Sequence, residues 1–193
     1  MKMPFGVVVA SKNVDKIAEV EAVLATLDPP VGVIPGHVWA DVDETEATLA
    51  GNALLKARAV VAATGHAAVA DDTGLEVDAL GGAPGVTTAR YAGPDASYAD
   101  NVDKMLRELA DTENRLARFR TAVALVTPTG EELVVEGVLE GVIATSRRGE
   151  GGFGYDPIFE VDGRTLAEIP VEEKNQISHR ARALLALAEA LNG

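Results

Sequence analysis

The sequence predicts an α/β protein built on a mixed β-sheet, and three observations predict it. An apolar run at residues 5–10, FGVVVA, leads straight into an amphipathic helical pattern. Strand-like and helix-like segments keep alternating through the first part of the chain, as parallel strands joined by helices do. Two long β-patterned runs, residues 118–126 and 132–143, then follow each other across a short turn, which makes an antiparallel hairpin.

The elements follow in order. Residues 5–10 form a buried strand bounded by polar residues, and Ser11-Lys12-Asn13 turns the chain. Residues 13–27 form a helix with Ile17, Val20, Val23, Leu24 and Leu27 on one stripe and charges opposite, ended by Pro29-Pro30. Residues 31–34 form a second strand. Residues 45–63 form a second helix: Leu49, Ala53, Ala57 and Val60 face the core, while Thr48, Asn52 and Lys56 make a polar line at i, i+4. Gly65 stops it. Residues 67–70 form a short strand that ends at Asp71-Asp72, and residues 81–85, GGAPG, form a loop. Residues 98–110 are helical, and Pro128-Thr129-Gly130 turns the hairpin. Residues 146–156 are a glycine-rich loop. Residues 175–191 form a closing helix with Ile177, Leu184, Ala188 and Leu191 inward. No repeat, low-complexity tract or linker interrupts the chain, so residues 1–193 read as one domain.

Composition bounds the function. The 193 residues are 47% hydrophobic, ample for a packed core, and contain no cysteine. That excludes a disulfide frame, a thiolate zinc site and thiol chemistry. No apolar run approaches the roughly 18 residues of a membrane span, and residues 1–10 meet Lys12, Asn13 and Asp15 too soon for a secretory signal. The expectation is a cytoplasmic protein. Thirty acidic against 17 basic residues give a net charge of −13, which argues against a nonspecific nucleic-acid binder. A small phosphorylated ligand needs only a local cluster of cations.

Five segments carry candidate chemistry. Ser11-Lys12-Asn13-Val14-Asp15-Lys16 joins a strand to a helix N-terminus, where unpaired N–H groups and the dipole suit phosphate, with Lys16 in the first turn. It lacks the Walker spacing, and on this segment alone an ordinary helix capped by Asn13 is the commoner case. Asp71-Asp72-Thr73-Gly74 sets two carboxylates side by side at a strand end, where ligands of α/β sheets gather. A hard cation such as Mg²⁺ would relieve their repulsion, although a plain Asx-type turn is as common. Glu44, with the polar line ending in Lys56, offers a second metal carboxylate and a phosphate partner, although a solvated helix face is the usual meaning of such a line.

The loop GEGGFGYDP at residues 149–157 contains GxGxxG but leads to Tyr-Asp-Pro rather than a helix, so it is not a dinucleotide fingerprint. Phe153 and Tyr155 are candidates for stacking on a base, with core packing as the alternative. Lys174 and Ser178-His179-Arg180 gather cationic and hydrogen-bonding groups in an otherwise acidic chain, unless Arg180 merely pairs with a carboxylate. His37 and His66 have no motif around them.

Together these segments resemble the inosine triphosphate pyrophosphatase family (Ham1-like, noncanonical purine nucleoside triphosphate pyrophosphatases). The matching stretches are ASKNVDKIAEVEAVL, ETEATLAGNALLKARA, AVADDTGLEVDALGGAPGVTTARYAG and GEGGFGYDPIFEVDGRTLAEIPVEEKNQISHRARAL, in family order and spanning nearly the whole chain. The resemblance implies an elongated mixed β-sheet flanked by helices, with two lobes around a central substrate cleft, usually as a homodimer. It implies Mg²⁺-dependent hydrolysis of ITP, dITP or XTP to the monophosphate and pyrophosphate. Carried across by motif, Ser11, Lys12, Asn13, Val14, Asp15 and Lys16 would meet the triphosphate, with Lys56 nearby. Glu44 and Asp72 would serve the metal, Asp72 would accept the proton of the attacking water, and Thr73 would touch substrate. Phe153, Gly154, Tyr155, Asp156, Lys174, His179 and Arg180 would line the base pocket.

The chain departs from that pattern in places. Glu46 stands where the family usually has Gly, adding negative charge near the proposed metal. Gly51 replaces a usual Glu, Thr87 a usual aromatic, Thr73 a usual Ser and Ala181 a usual Gly. Two other functions remain in view: a Maf-type pyrophosphatase acting on pyrimidine or methylated nucleotides, and a nucleotide sensor without turnover. Hypoxanthine and xanthine present an acceptor oxygen at position 6 where adenine presents an amino donor. A buried donor therefore pairs with the first and is stranded by the second.

Overall fold

The computed structural model describes residues 4–192. The elements run β1 (Gly6–Val9), α1 (Val14–Leu24), β2 (Gly32–Val33), α2 (Leu49–Thr64), β3 (Ala68–Val77), β4 (Pro84–Gly85), α3 (Tyr98–Glu108), β5 (Leu116–Val126), β6 (Glu132–Ile143), β7 (Phe159–Val161), β8 (Arg164–Thr165), α4 (Val171–Ile177) and α5 (His179–Asn192). The strands make one open mixed sheet in the order β2-β1-β3-β5-β6-β7-β8, with β4 paired to β3. β1 runs parallel to β2 and β3, whereas β4, β7 and β8 join antiparallel. The predicted α/β class with a mixed sheet is the class observed.

The chain divides into two compact units. The first comprises the described residues up to Asp72 together with Thr121–Gly137 and those from Ser178 on. Its core joins Val7 and Val9 of β1 to Val20, Val23 and Leu24 of α1, Val69 of β3, Val123 and Leu125 of β5, and Leu184 and Leu187 of α5. The helical stripe read in α1 is thus the face that packs. The second unit is Thr73–Arg120 with Val138–Ile177, and its core holds Leu75, Met105, Leu109, Phe119, Ile158, Phe159 and Leu166.

Several expected boundaries move, α1 ending at Leu24 rather than residue 27 among them, and three have a clear local reason. α2 begins at Leu49, not at residue 45, because Thr48 has extended backbone and its Oγ1 caps the Gly51 N–H at 3.1 Å. Residues 34–46, including Glu44, therefore lie outside any helix or strand. β3 does not end at Asp71-Asp72 but continues to Val77. Charge breaks the apolar run without breaking the ladder, since Leu75 and Glu76 pair with β4. The closing helix is two helices, α4 and α5, split at Ser178, whose Oγ accepts the Ala181 N–H at 3.1 Å and starts the second one. Residues 81–85, expected as a loop, also contribute the two-residue strand β4.

Candidate active site

Strand alternation sends Asp71 and Asp72 to opposite faces of β3, and each carboxylate meets its own set of cations in the first unit. Asp71 Oδ2 lies 3.2 Å from Lys16 Nζ and accepts from Arg180 Nε at 3.3 Å and Nη2 at 3.1 Å. Arg180 also pairs with Glu19, three residues along α1 from Lys16. Burial alone would raise the Asp71 pKa; Lys16 and Arg180 outweigh it and hold the group well below the usual carboxylate range.

Asp72 faces the other way. Its Oδ1 accepts from Lys56 Nζ at 3.0 Å, and its Oδ2 accepts from Asn52 Nδ2 at 3.3 Å. Lys56 Nζ donates also to Glu44 Oε1 at 2.7 Å. Burial pushes the Asp72 pKa up, Lys56 opposes this, and the nearby Glu44 charge adds to the rise. Burial works against the charge on Lys56, but Asp72, Asp71 and Glu44 together hold its pKa above the ordinary value. Part of the polar line read in the sequence, which usually signals a wet helix face, is here turned inward: Thr48 is exposed, but Asn52 is 1% exposed.

Ser11, Lys12, Asn13, Lys16, Glu44, Lys56 and Asp71 line one cavity of about 250 Å³, together with Trp39 and Asp41. These seven all come from the candidate segments of the sequence, and Asp72 joins them through Lys56. The helix N-terminus is less open to phosphate than its sequence suggests. Asn13 Oδ1 already accepts the N–H groups of Asp15 at 2.9 Å and Lys16 at 3.3 Å. Lys12 pairs with Asp41, and Val14 is exposed.

The second unit brings together Phe153, Asp156 and Lys174. Lys174 Nζ donates to Asp156 Oδ2 at 2.6 Å and sits 5.1 Å from the Phe153 ring centroid. The same Asp156 oxygen accepts the Phe153 N–H at 2.8 Å. A Cβ on Gly152 would overlap the Asp156 carboxylate, which explains the glycine there. Thr73 begins this unit, on β3.

Three residues that the resemblance assigns to the base pocket have protein partners of their own. Tyr155 is a core residue, 4% exposed, whose hydroxyl donates to the Thr88 carbonyl at 3.0 Å. His179 and Arg180 belong to the first unit, in the opening turn of α5. His179 Nδ1 lies 2.7 Å from Thr121 Oγ1, and Arg180 is enclosed by Glu19 and Asp71.

An arrangement of this kind, two lysines beside a buried carboxylate, is chemically able to meet a polyanion and to accept a proton. The whole chain points to the same chemistry. Residues 7–190 match the model of the Ham1 family. The chain belongs to the Ham1 family. It is 49% identical to a dITP/XTP pyrophosphatase of Geobacillus kaustophilus, covering 95% of this chain and 92% of that protein. It is 48% identical to one of Streptomyces coelicolor, covering 93% and 94%. Among solved structures, a HAM1 protein from Coxiella burnetii superposes with a TM-score of 0.86 at 42% identity, covering 98% of this chain and 99% of that one. A dITP/XTP pyrophosphatase from Mycobacterium abscessus gives 0.71 at 48% identity, covering 94% and 98%. A Maf-type pyrimidine enzyme is not favoured by these relatives.

Glu46 and Gly51, both singled out in the sequence, lie against each other. A Cβ at Gly51 would lie 2.7 Å from Glu46 Cβ and 2.9 Å from Glu46 Cγ. A side chain at 51 would press on Glu46 where it now lies, so Glu46 or the start of α2 would have to shift. Glu46 is exposed, and its charge is felt by Arg58, whose pKa is held up first by its bond to Glu132. At Thr87, the side chain donates to the Pro84 carbonyl at 2.8 Å.

Proposed function

We propose that this chain hydrolyses noncanonical purine nucleoside triphosphates, dITP, XTP and ITP, to the monophosphate and pyrophosphate. The observation that carries the reading is the convergence of Lys56 Nζ on both Glu44 Oε1 and Asp72 Oδ1, at 2.7 and 3.0 Å, beside a cavity that Lys16 also lines. Lys16, Lys56 and Arg180 face four carboxylates, Glu19, Glu44, Asp71 and Asp72, so the cluster is one charge short of neutral. A triphosphate brought there without a further cation is repelled.

Mg²⁺ fits that deficit. Among the described residues no three His, Cys, Asp or Glu groups gather to cage a metal, but Glu44 Oε1 and Asp72 Oδ1 both reach Lys56 Nζ and so lie near one another. Mg²⁺ characteristically takes one or two protein carboxylates and completes its shell with water and substrate phosphates. Glu44 and Asp72 would hold it, and it would supply charge neutralisation on the phosphates.

The chain's own residues do the rest. Asp72 accepts the proton of a water whose oxygen bonds to the α-phosphorus. The bond from that phosphorus to the bridging oxygen breaks, and the electron pair leaves with pyrophosphate. Lys16 and Lys56 stabilise the charge that builds on the leaving group. In the second unit, Phe153 offers a ring face, and Lys174 is proposed to donate to the 6-oxo group of hypoxanthine or xanthine.

Pyrophosphate release from dITP, XTP and dATP, with and without Mg²⁺, tests the reading. Release from dITP and XTP in large excess over dATP, abolished by chelation, supports it. Equal rates with dATP, or tight dITP binding with no release, overturns it. We also propose a cytoplasmic homodimer as the working form, for which light scattering of the purified chain must give twice 20.1 kDa. Among the described residues no helix is long and apolar enough to cross a membrane.

A further inference from the structure

Glycine inside a helix costs about 1 kcal/mol relative to alanine, and Gly51 is the third residue of α2. Its backbone is ordinary right-handed helix, so no turn demands it. The space around it does. An added Cβ would meet Glu46 Cβ at 2.7 Å, Glu46 Cγ at 2.9 Å and Thr48 Oγ1 at 3.1 Å. The segment before the helix is therefore laid directly on the bare Cα.

The next residue fixes that segment. Asn52 Oδ1 accepts the Glu46 N–H at 2.9 Å, and Asn52 Nδ2 donates to Asp72 Oδ2 at 3.3 Å. The first bond decides which way the amide faces, so its NH₂ end is aimed at Asp72. Two residues before Glu46, Glu44 reaches Lys56, which returns to Asp72. A closed circuit results: Asp72, Asn52, the backbone from Glu46 to Glu44, Lys56, and Asp72 again. Residues 34–46 form no helix or strand, so side-chain anchors of this kind must supply the definition that a backbone ladder would otherwise give.

We propose that Asn52 is a positioning residue that locks the Glu44 segment to Asp72 through one amide, and that Gly51 is the seat on which Glu46 must close for the lock to form. Asn52 touches no phosphate in this scheme; it acts through Glu44 and Asp72. The inference rests on the reading of those two carboxylates as the reacting and metal-holding pair.

Four variants test it: Gly51→Ala, Glu46→Gly, the double Glu46→Gly/Gly51→Ala, and Asn52→Leu. Two readouts are followed, steady-state hydrolysis of dITP and the emission of Trp39, the chain's one tryptophan, which lines the same cavity as Glu44. Gly51→Ala is expected to lower kcat about 10–100-fold, the usual effect of disturbing a group that orients a ligand, and to shift the Trp39 emission. Glu46→Gly alone leaves both near the parent. The double variant recovers both, because removing the Glu46 side chain frees the seat. Asn52→Leu loses kcat as Gly51→Ala does.

A Gly51→Ala enzyme with parental kcat and emission overturns the proposal. So does a double variant no better than Gly51→Ala, or an Asn52→Leu enzyme with full activity. If Gly51→Ala does not fold, recovery of folding in the double variant decides the same question. Should the parent release no pyrophosphate from any purine triphosphate, the hydrolytic reading fails, while the Trp39 emission series still judges the seat.

Discussion

Asp71 Oδ2 serves Lys16 at 3.2 Å and two nitrogens of Arg180 at 3.3 and 3.1 Å, so one buried oxygen organises two cations brought from α1 and α5. Removing one partner of such a buried group leaves the others uncompensated and costs about 3–5 kcal/mol. Asp71→Asn should therefore melt well below the parent. The pH dependence has a definite sign. A carboxyl held below its unfolded pKa of about 4 stabilises the fold above that value. That contribution is lost as pH falls toward the lower folded value. The parent should lose stability below about pH 4 more steeply than Asp71→Asn, and denaturant titrations across that range read the difference. Parallel curves would mean that the charge on Asp71 does not support the fold.

Asp72 and Lys56 have different jobs beside one another, and kinetics separates them. Asp72→Asn keeps an acceptor for Lys56 but cannot take a proton, so kcat should fall about 10²–10⁴-fold. Lys56→Met removes a point charge that meets the substrate throughout the reaction, so KM should rise and kcat fall together. Initial rates of pyrophosphate release over a dITP series give both constants. Near-parental turnover in Asp72→Asn would remove the base assignment.

The first unit was largely legible in the sequence because its logic is local. The strand, the Asn13 cap and the apolar stripe of α1 are adjacent in the chain, and each was read correctly. Lys56, Glu44 and Asp72 were assembled from the family resemblance, and the structure gives the bonds that hold them. What the sequence hid were pairings between distant residues. The sequence allows Arg180 to pair with a carboxylate but does not say which; Asp71 and Glu19 are 109 and 161 positions away. Asn52 reads as part of a wet helix face, since nothing at i, i+4 reveals that the loop from Glu44 to Glu46 covers it. Tyr155 was a ring in a glycine-rich loop, and only its bond to Thr88, 67 positions away, shows it to be core.

Lys174 tests the base-reading role proposed for the second unit. Lys174 is 4% exposed and its ammonium is compensated by Asp156, so Lys174→Met also strands a buried carboxylate and must be judged by a ratio rather than a rate. If Lys174 donates to a 6-oxo group, the ratio of kcat/KM for dITP over dATP should collapse by at least about tenfold, because a site built to hydrogen-bond an oxygen rejects the analogue that lacks it. A purely structural role lowers both substrates alike and leaves the ratio standing. Phe153→Leu, which removes ring stacking common to every purine, should weaken KM for both substrates in parallel.

Gly137 decides how closely α5 approaches β6. A Cβ there would overlap the His179 carbonyl oxygen and the Ala183 backbone nitrogen, and would stand 3.0 Å from the Ala183 Cα. These are main-chain atoms at the start of a helix, so no flexible side chain can swing aside. Overpacking against such a wall typically costs about 1–3 kcal/mol, and Gly137→Ala should lower Tm accordingly. The displacement also has a direction. His179 and Arg180 are the first two residues of α5. Pushing the helix off β6 strains the Thr121–His179 bond at 2.7 Å and draws the Arg180 guanidinium away from Asp71. Lys16 then loses the neighbour that shares its carboxylate. Gly137→Ala should consequently reduce kcat below the transition temperature, where the protein is still folded, and Gly137→Ser should do so more severely. A variant with lowered Tm but unchanged kcat would show that α5 yields by tilting without moving Arg180, and the link between this glycine and the Asp71 cluster would be broken.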